Sequence, residues 1–105
     1  MQDQSPSTTA LVTARMRWIH TTSDSKPLLR DEWGGKFSSA SHLISLGYVD
    51  ESASTDESID ENKLDASLRA SPAYANVVVR SWYTENALLA AIEDGTRQYV
   101  LIGAG

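Results

Sequence analysis

The chain has 105 residues, 41% of them hydrophobic and 22% charged, with no cysteine and a formal net charge of −5. That allows one small domain with a modest core, and it excludes disulfides, thiolate metal sites and the clustered lysine and arginine of a nucleic-acid footprint. No segment approaches the roughly 18 apolar residues that span a bilayer, and the opening MQDQSPSTT lacks the basic-then-apolar pattern of an export signal, so the sequence reads as soluble and cytoplasmic, with no membrane partner.

The first element follows Ser5 or Ser7, either of which can cap a helix. Within that helix Leu11, Ala14 and Trp18 form one stripe, and Val12, Met16 and Ile19 form its neighbour. Such a face must pack on something. Pro27 suits the first turn of a short helix, PLLRDEW, which Gly34 and Gly35 would stop. A third short helix, SASHLISL, has serines before it and Gly47 after it. Residues 50–62, DESASTDESIDEN, carry six acidic and no basic side chains, while the rest of the chain is close to neutral. They cannot bury enough apolar surface to offset the entropy of ordering, so this stretch reads as a solvated, flexible loop. KLDASLRA beyond it adds a helical turn or two.

The best-marked helix starts at Ser71-Pro72 and ends at Gly95. Tyr74, Val77, Val78, Ser81, Leu88, Leu89 and Ile92 lie along one broad face. After Gly95 the pattern changes, because YVLI is apolar at every position and not alternating, as in a strand covered on both faces of a parallel sheet. The sequence offers one strand. A parallel sheet needs neighbours for it, so the sequence predicts a mostly α-helical piece with an unsatisfied first strand. The organisation that follows is a helical cap over residues 1–49, the acidic loop over 50–62, and a long helix, strand and glycine turn over 63–105.

A strand leading into Gly103, Ala104 and Gly105 has the form of a nucleotide-binding turn, where glycine lets the backbone approach a ligand without a Cβ clash. Alone, these three residues fit dinucleotide enzymes, methyltransferases and plain turns alike. Arg80 is a second candidate. Its helical neighbours Asn76, Val77, Tyr83 and Thr84 include no carboxylate, so no local ion pair accounts for it.

VVVRSWYTENALLAAIEDGTRQYVLIGAG resembles the segment that leads into the first motif of the leucine carboxyl methyltransferase-like family of class I S-adenosylmethionine-dependent methyltransferases. TARMRWIH and KPLLRDEWGGKF are similar to that family's N-terminal helical cap. The resemblance implies an α/β fold, in which an N-terminal helical cap precedes the first strand of a doubly wound, Rossmann-like domain. It also implies S-adenosylmethionine as cofactor and a small-molecule or peptide carboxyl or hydroxyl group as methyl acceptor. Gly103, Ala104 and Gly105 then match the start of the cofactor loop, and Arg80 matches the arginine that binds the cofactor carboxylate, a task suited to a planar, always-charged fork. Arg15 and Arg17 are both candidates for the basic residue that the family's first helix places near the cofactor.

Two other readings compete: a truncated NAD-type dinucleotide-binding domain, and a non-catalytic helical interaction module. On the leading reading the chain is the front part of the enzyme, and alone it transfers no methyl group. The unpaired strand is expected to fray or to self-associate. His20 and His42 belong to no metal-ligand spacing and read as exposed or hydrogen-bonded side chains. Trp18, Trp33 and Trp82 read as packing residues, with Trp82 and Tyr83 as candidate pocket walls.

Overall fold

The computed structural model describes residues 7–47 and 57–102, with side chains from residue 61 onward in the second stretch. The regular structure of these residues is helical: α1 (Thr8–Ser23), α2 (Gly34–Phe37), α3 (Ala40–Ser45), α4 (Glu57–Ala70) and α5 (Ala73–Glu93). The first helix is the centre of the assembly, touching α2, α4 and α5, while α3 packs on α4. Its predicted apolar stripes turn inward. Leu11, Met16 and Ile19 join Leu43, Leu64 and Leu68 in one core, with Val12, Trp18, Ala40, Ile44, Tyr74 and Val77 around it.

Ser7 precedes α1 and its carbonyl accepts the Leu11 N–H at 3.1 Å, although its side chain makes no cap. Ser39 caps α3 through the His42 N–H, and Gly47 follows it, as the sequence predicts.

The helix predicted over Pro27–Trp33 does not form. Its N–H groups find partners elsewhere: Leu28 donates to His20 Nε2 and Asp31 to Thr21 Oγ1, both at 2.8 Å on α1. The N–H groups of Trp33 and Gly34 turn back onto Asp31 Oδ1. With those donors satisfied by side chains, nothing drives a helical ladder there. The helical turn comes later, at the glycines read as its stop. A Cβ on Gly34 would collide with the Ala14 carbonyl oxygen, and one on Gly35 with the Trp18 indole, so these two positions are glycine because α2 lies directly against α1.

The acidic stretch is also partly helical. Since α4 begins at Glu57, residues 57–62 belong to a helix; residues 50–56 lie outside the described residues. The reason is tertiary. Glu61 and Asp65, one turn apart, both pair with the buried Arg15 of α1, which offsets the entropic cost that composition alone assigns to ordering them.

The long helix α5 closes as predicted. Gly95, at φ 98°, lets its own N–H donate to the Ile92 carbonyl and the Thr96 N–H to the Ala91 carbonyl, both at 3.0 Å, the pattern of a Schellman motif. Only the first half of its broad face is covered, with Val78 buried and Leu89 and Ile92 more than half exposed.

The predicted strand YVLI is not a strand. Among the described residues there is no sheet, and Tyr99, Val100, Leu101 and Ile102 are 59, 76, 64 and 91% exposed. A strand is stable only when its N–H and C=O groups are paired across a ladder, and none of the described residues offers one. The predicted helical character therefore holds, whereas a doubly wound sheet is not formed among the described residues.

Candidate functional site

Helices α1 and α5 enclose an open cleft of about 410 Å³, lined by Thr13 and Arg17 from the first and Val77, Arg80, Ser81, Thr84 and Glu85 from the second. The spacing explains the set. Thr13 and Arg17 are one turn apart, and Val77, Arg80, Ser81, Thr84 and Glu85 fall at successive helical turns, so each helix presents a single stripe.

The sequence nominates three arginines, and the structure separates them. Arg17 and Arg80 line the same cleft. Arg15, two residues from Arg17 and hence on the opposite side of α1, is 3% exposed and points into the α1–α4 seam. There its Nε donates to Asp65 Oδ1 at 2.8 Å, its Nη2 donates to Asp65 Oδ2 at 2.9 Å and Glu61 Oε1 at 2.8 Å, and its Nη1 reaches the Ser38 carbonyl at 3.4 Å. Its guanidinium carbon also lies 4.4 Å from the centre of the Trp18 ring. Burial pulls the Arg15 pKa down, but the hydrogen bonds and charges of Asp65 and Glu61 outweigh that pull and hold it above its ordinary value. Such an arginine fastens two helices together. Gly103, Ala104 and Gly105 lie outside the described residues.

Within the cleft the chemistry is mixed. Arg80 is exposed and forms no ion pair among the described residues. Arg17 is tethered by one atom, its Nε donating to Asp31 Oδ2 at 2.8 Å. The hydroxyls of Ser81 and Thr84 donate to the carbonyls one turn back, Val77 at 2.8 Å and Arg80 at 2.9 Å. With those protons engaged, both oxygens face a ligand as acceptors only. The cleft thus combines two cations for an anionic group, acceptor oxygens and one carboxylate, Glu85, for donors, and Val77 for apolar contact.

Sequence reasoning missed two residues that shape this region. Asp31 is one, and its signal was readable: an aspartate two and three residues before Trp33-Gly34 is placed to cap their N–H groups. The other is Asp24 at the end of α1. It accepts from Tyr74 Oη at 2.7 Å, lies 2.6 Å from His20 Nδ1, and pairs with Arg69. Burial pushes the Asp24 carboxyl up, yet the hydrogen bonds from Tyr74 and His20 and the nearby Arg69 charge bring it below the usual range. His20 is consequently buried and hydrogen-bonded, and His42 is exposed. Of the three tryptophans, Trp18 packs against the core, but Trp33 is 63% and Trp82 38% exposed. Trp33 meets Phe37 and Lys36 on the surface rather than the interior. Trp82 and Tyr83 are not among the cleft-lining residues.

The family model for leucine carboxyl methyltransferase matches residues 10–105. The chain belongs to the leucine carboxyl methyltransferase family. All the residues that line the α1–α5 cleft, Arg17 and Arg80 among them, fall inside the matched range. Comparisons with curated proteins and with solved structures return no significant match. No helix among the described residues is long and apolar enough to cross a membrane.

Proposed function

We propose that this chain contributes the helical cap and one wall of the cofactor site of an S-adenosylmethionine-dependent O-methyltransferase, acting on a carboxyl or hydroxyl group of a small molecule or peptide in the cytoplasm. The observation that carries the proposal is the convergence of Arg17 and Arg80 on one cleft, with Arg80 bearing no carboxylate partner among the described residues. The residues fit the amino-acid end of the cofactor. Arg80 binds its carboxylate, Arg17 adds a second cation, and the Ser81 and Thr84 oxygens accept from its ammonium group. When bound, the cofactor supplies an electrophilic methyl group. The part of the chain described here is to hold one end of it still, because methyl transfer depends mainly on alignment of donor and acceptor. Gly103, Ala104 and Gly105 are proposed to meet the same cofactor through their backbone.

The cleft is open and the apolar run Tyr99–Ile102 is exposed, so the described residues bind weakly by themselves and do not catalyse transfer. A charge-assisted hydrogen bond contributes about 1.5–3 kcal/mol, and a millimolar dissociation constant corresponds to about 4 kcal/mol. One wall with two such contacts therefore reaches the millimolar range. The test is an NMR titration of the 105-residue chain with S-adenosylmethionine. Resonances of Arg17, Arg80, Ser81 and Thr84 are expected to shift together, Arg80→Gln to abolish the response, and methioninamide, which lacks the carboxylate, to give none. Shifts confined to other residues, or micromolar binding in calorimetry, would refute this picture.

The family match favours methyl transfer over the dinucleotide reading. The exposed apolar half of α5 keeps one further role open, docking of a partner protein on Leu89 and Ile92.

A further inference from the structure

Asp31 lies in the link between α1 and α2, and its N–H and both carboxylate oxygens are engaged. Its N–H donates to Thr21 Oγ1 at 2.8 Å, and its Oδ1 accepts from the N–H groups of Trp33 at 3.1 Å and Gly34 at 2.9 Å. Its Oδ2 is left for one partner, Arg17 Nε, at 2.8 Å. The residue is thus tied to α1 by its backbone N–H and to the start of α2 by Oδ1, so the carboxylate is already oriented where it meets Arg17. Burial pushes its pKa up, but Arg17 and the Gly34 and Trp33 N–H groups outweigh this and hold it below the ordinary carboxylate value, so it stays ionised at neutral pH. Contact through Nε engages the stem side of the guanidinium and leaves its terminal Nη groups for the cleft that Arg17 lines.

We propose that Asp31 is a positioning residue for the methyl-donor site: it fixes Arg17 beside Arg80 so that two guanidinium groups meet one ligand carboxylate. Two like charges lining one cleft repel, and a long side chain left free would swing its charge into water. A fixed carboxylate behind one of them counters both effects. The inference rests on the cofactor reading above, but it concerns a residue outside the cleft lining, and its failure is separable from that of the reading.

The experiment follows the arginine Nε–H resonances of Arg17 and Arg80 during titration with S-adenosylmethionine, in the wild-type chain and in Asp31→Asn. That substitution keeps an oxygen for the Trp33 and Gly34 N–H groups but loses the charge that holds Arg17. Circular dichroism checks that the helices persist. In the wild type the Arg17 Nε–H should exchange slowly with water, and both signals should move with one affinity. In Asp31→Asn the Arg17 signal should exchange fast and stop responding, while Arg80 still responds with affinity weakened about three- to tenfold, the effect of loosening one charged contact. If Arg17 and Arg80 respond in Asp31→Asn as in the wild type, Asp31 only glues the link to α1 and the inference is overturned, with the cofactor reading intact. If Arg80 does not respond in the wild type, both fall. Should Asp31→Asn unfold, the wild-type chain is read at saturating S-adenosylmethionine: an Arg17 Nε–H that stays protected from water while Arg17 and Arg80 respond together supports the inference, and an Arg17 Nε–H that exchanges as fast as that of Arg80 overturns it.

Discussion

Replacement of Arg15 by alanine should cost this protein most of its stability. The side chain is 4% exposed and meets two carboxylates of unequal depth, Asp65 at 23% and Glu61 at 46% exposure. The two-point bond to Asp65 is a charged, partly buried contact, for which about 1.5–3 kcal/mol is reasonable. Glu61 is wet enough to be discounted to about 0.5 kcal/mol, and the stacking over Trp18 adds about 1 kcal/mol. The loss should then be about 3–4.5 kcal/mol, within reach of the values seen when one partner of a buried pair is removed. A domain of this length with modest burial sits near the lower end of native stabilities, about 5 kcal/mol. Urea denaturation followed by circular dichroism at the helix band is the assay, and the midpoint should fall by about 2 M at an ordinary m-value of 1.5–2 kcal/mol/M. Arg15→Lys should recover part of the loss, since an ammonium cannot reproduce the fork. Arg17→Ala and Arg80→Ala should stay within about 1 kcal/mol of wild type, because neither is buried in the core. If Arg15→Ala lowers stability by less than about 1 kcal/mol with an unchanged m-value, the α1–α4 ion pair is not structural, and Arg15 would return as a ligand-binding candidate beside Arg17.

Gly34→Ala should destabilise by about 2 kcal/mol or more, because the new Cβ would meet backbone, the Ala14 carbonyl, and α2 must lift off α1 to make room; thermal melting reads this, and an unchanged midpoint would refute the close packing. Stability should fall on acidification below about pH 4, the range where ordinary carboxylates take up protons. Asp24 and Asp31 have folded-state pKa values below their usual ones, so their contribution is present above that range and lost as pH drops through the lower folded values. At the alkaline end Tyr74 works in reverse, since burial and its bond to Asp24 raise its pKa; the stability it confers should persist to about pH 10 and decline beyond it, and Tyr74→Phe should remove that decline. Sedimentation should show concentration-dependent self-association that Leu101→Lys or Ile102→Lys reduces, because an unpaired apolar segment is a template for pairing. Monomers at all concentrations in the wild type would show that the exposed run is inert.

What the sequence determined by itself is whatever depends on neighbours along one helix. The inward stripe of α1, the Ser39 and Gly47 ends of α3 and the Gly95 closure of α5 all follow from spacing and capping, which act within a few residues. The family was legible for a similar reason, in contiguous residues from Val77 to the glycines, with TARMRWIH and KPLLRDEWGGKF upstream. Tertiary structure decided everything that couples distant residues of opposite or competing chemistry. Arg15 and Arg17 are indistinguishable in the string TARMRWIH, and only the approach of α4 gives one of them Asp65 and Glu61 while the turn toward α5 gives the other Arg80. The same pairing drew part of the acidic stretch into α4, and side chains of α1 took the N–H groups that a helix over Pro27–Trp33 would have needed. Local rules count each residue's own preference. Burial, charge pairing and hydrogen-bond satisfaction are settled between segments, and where the two conflict the larger, shared free energy prevails.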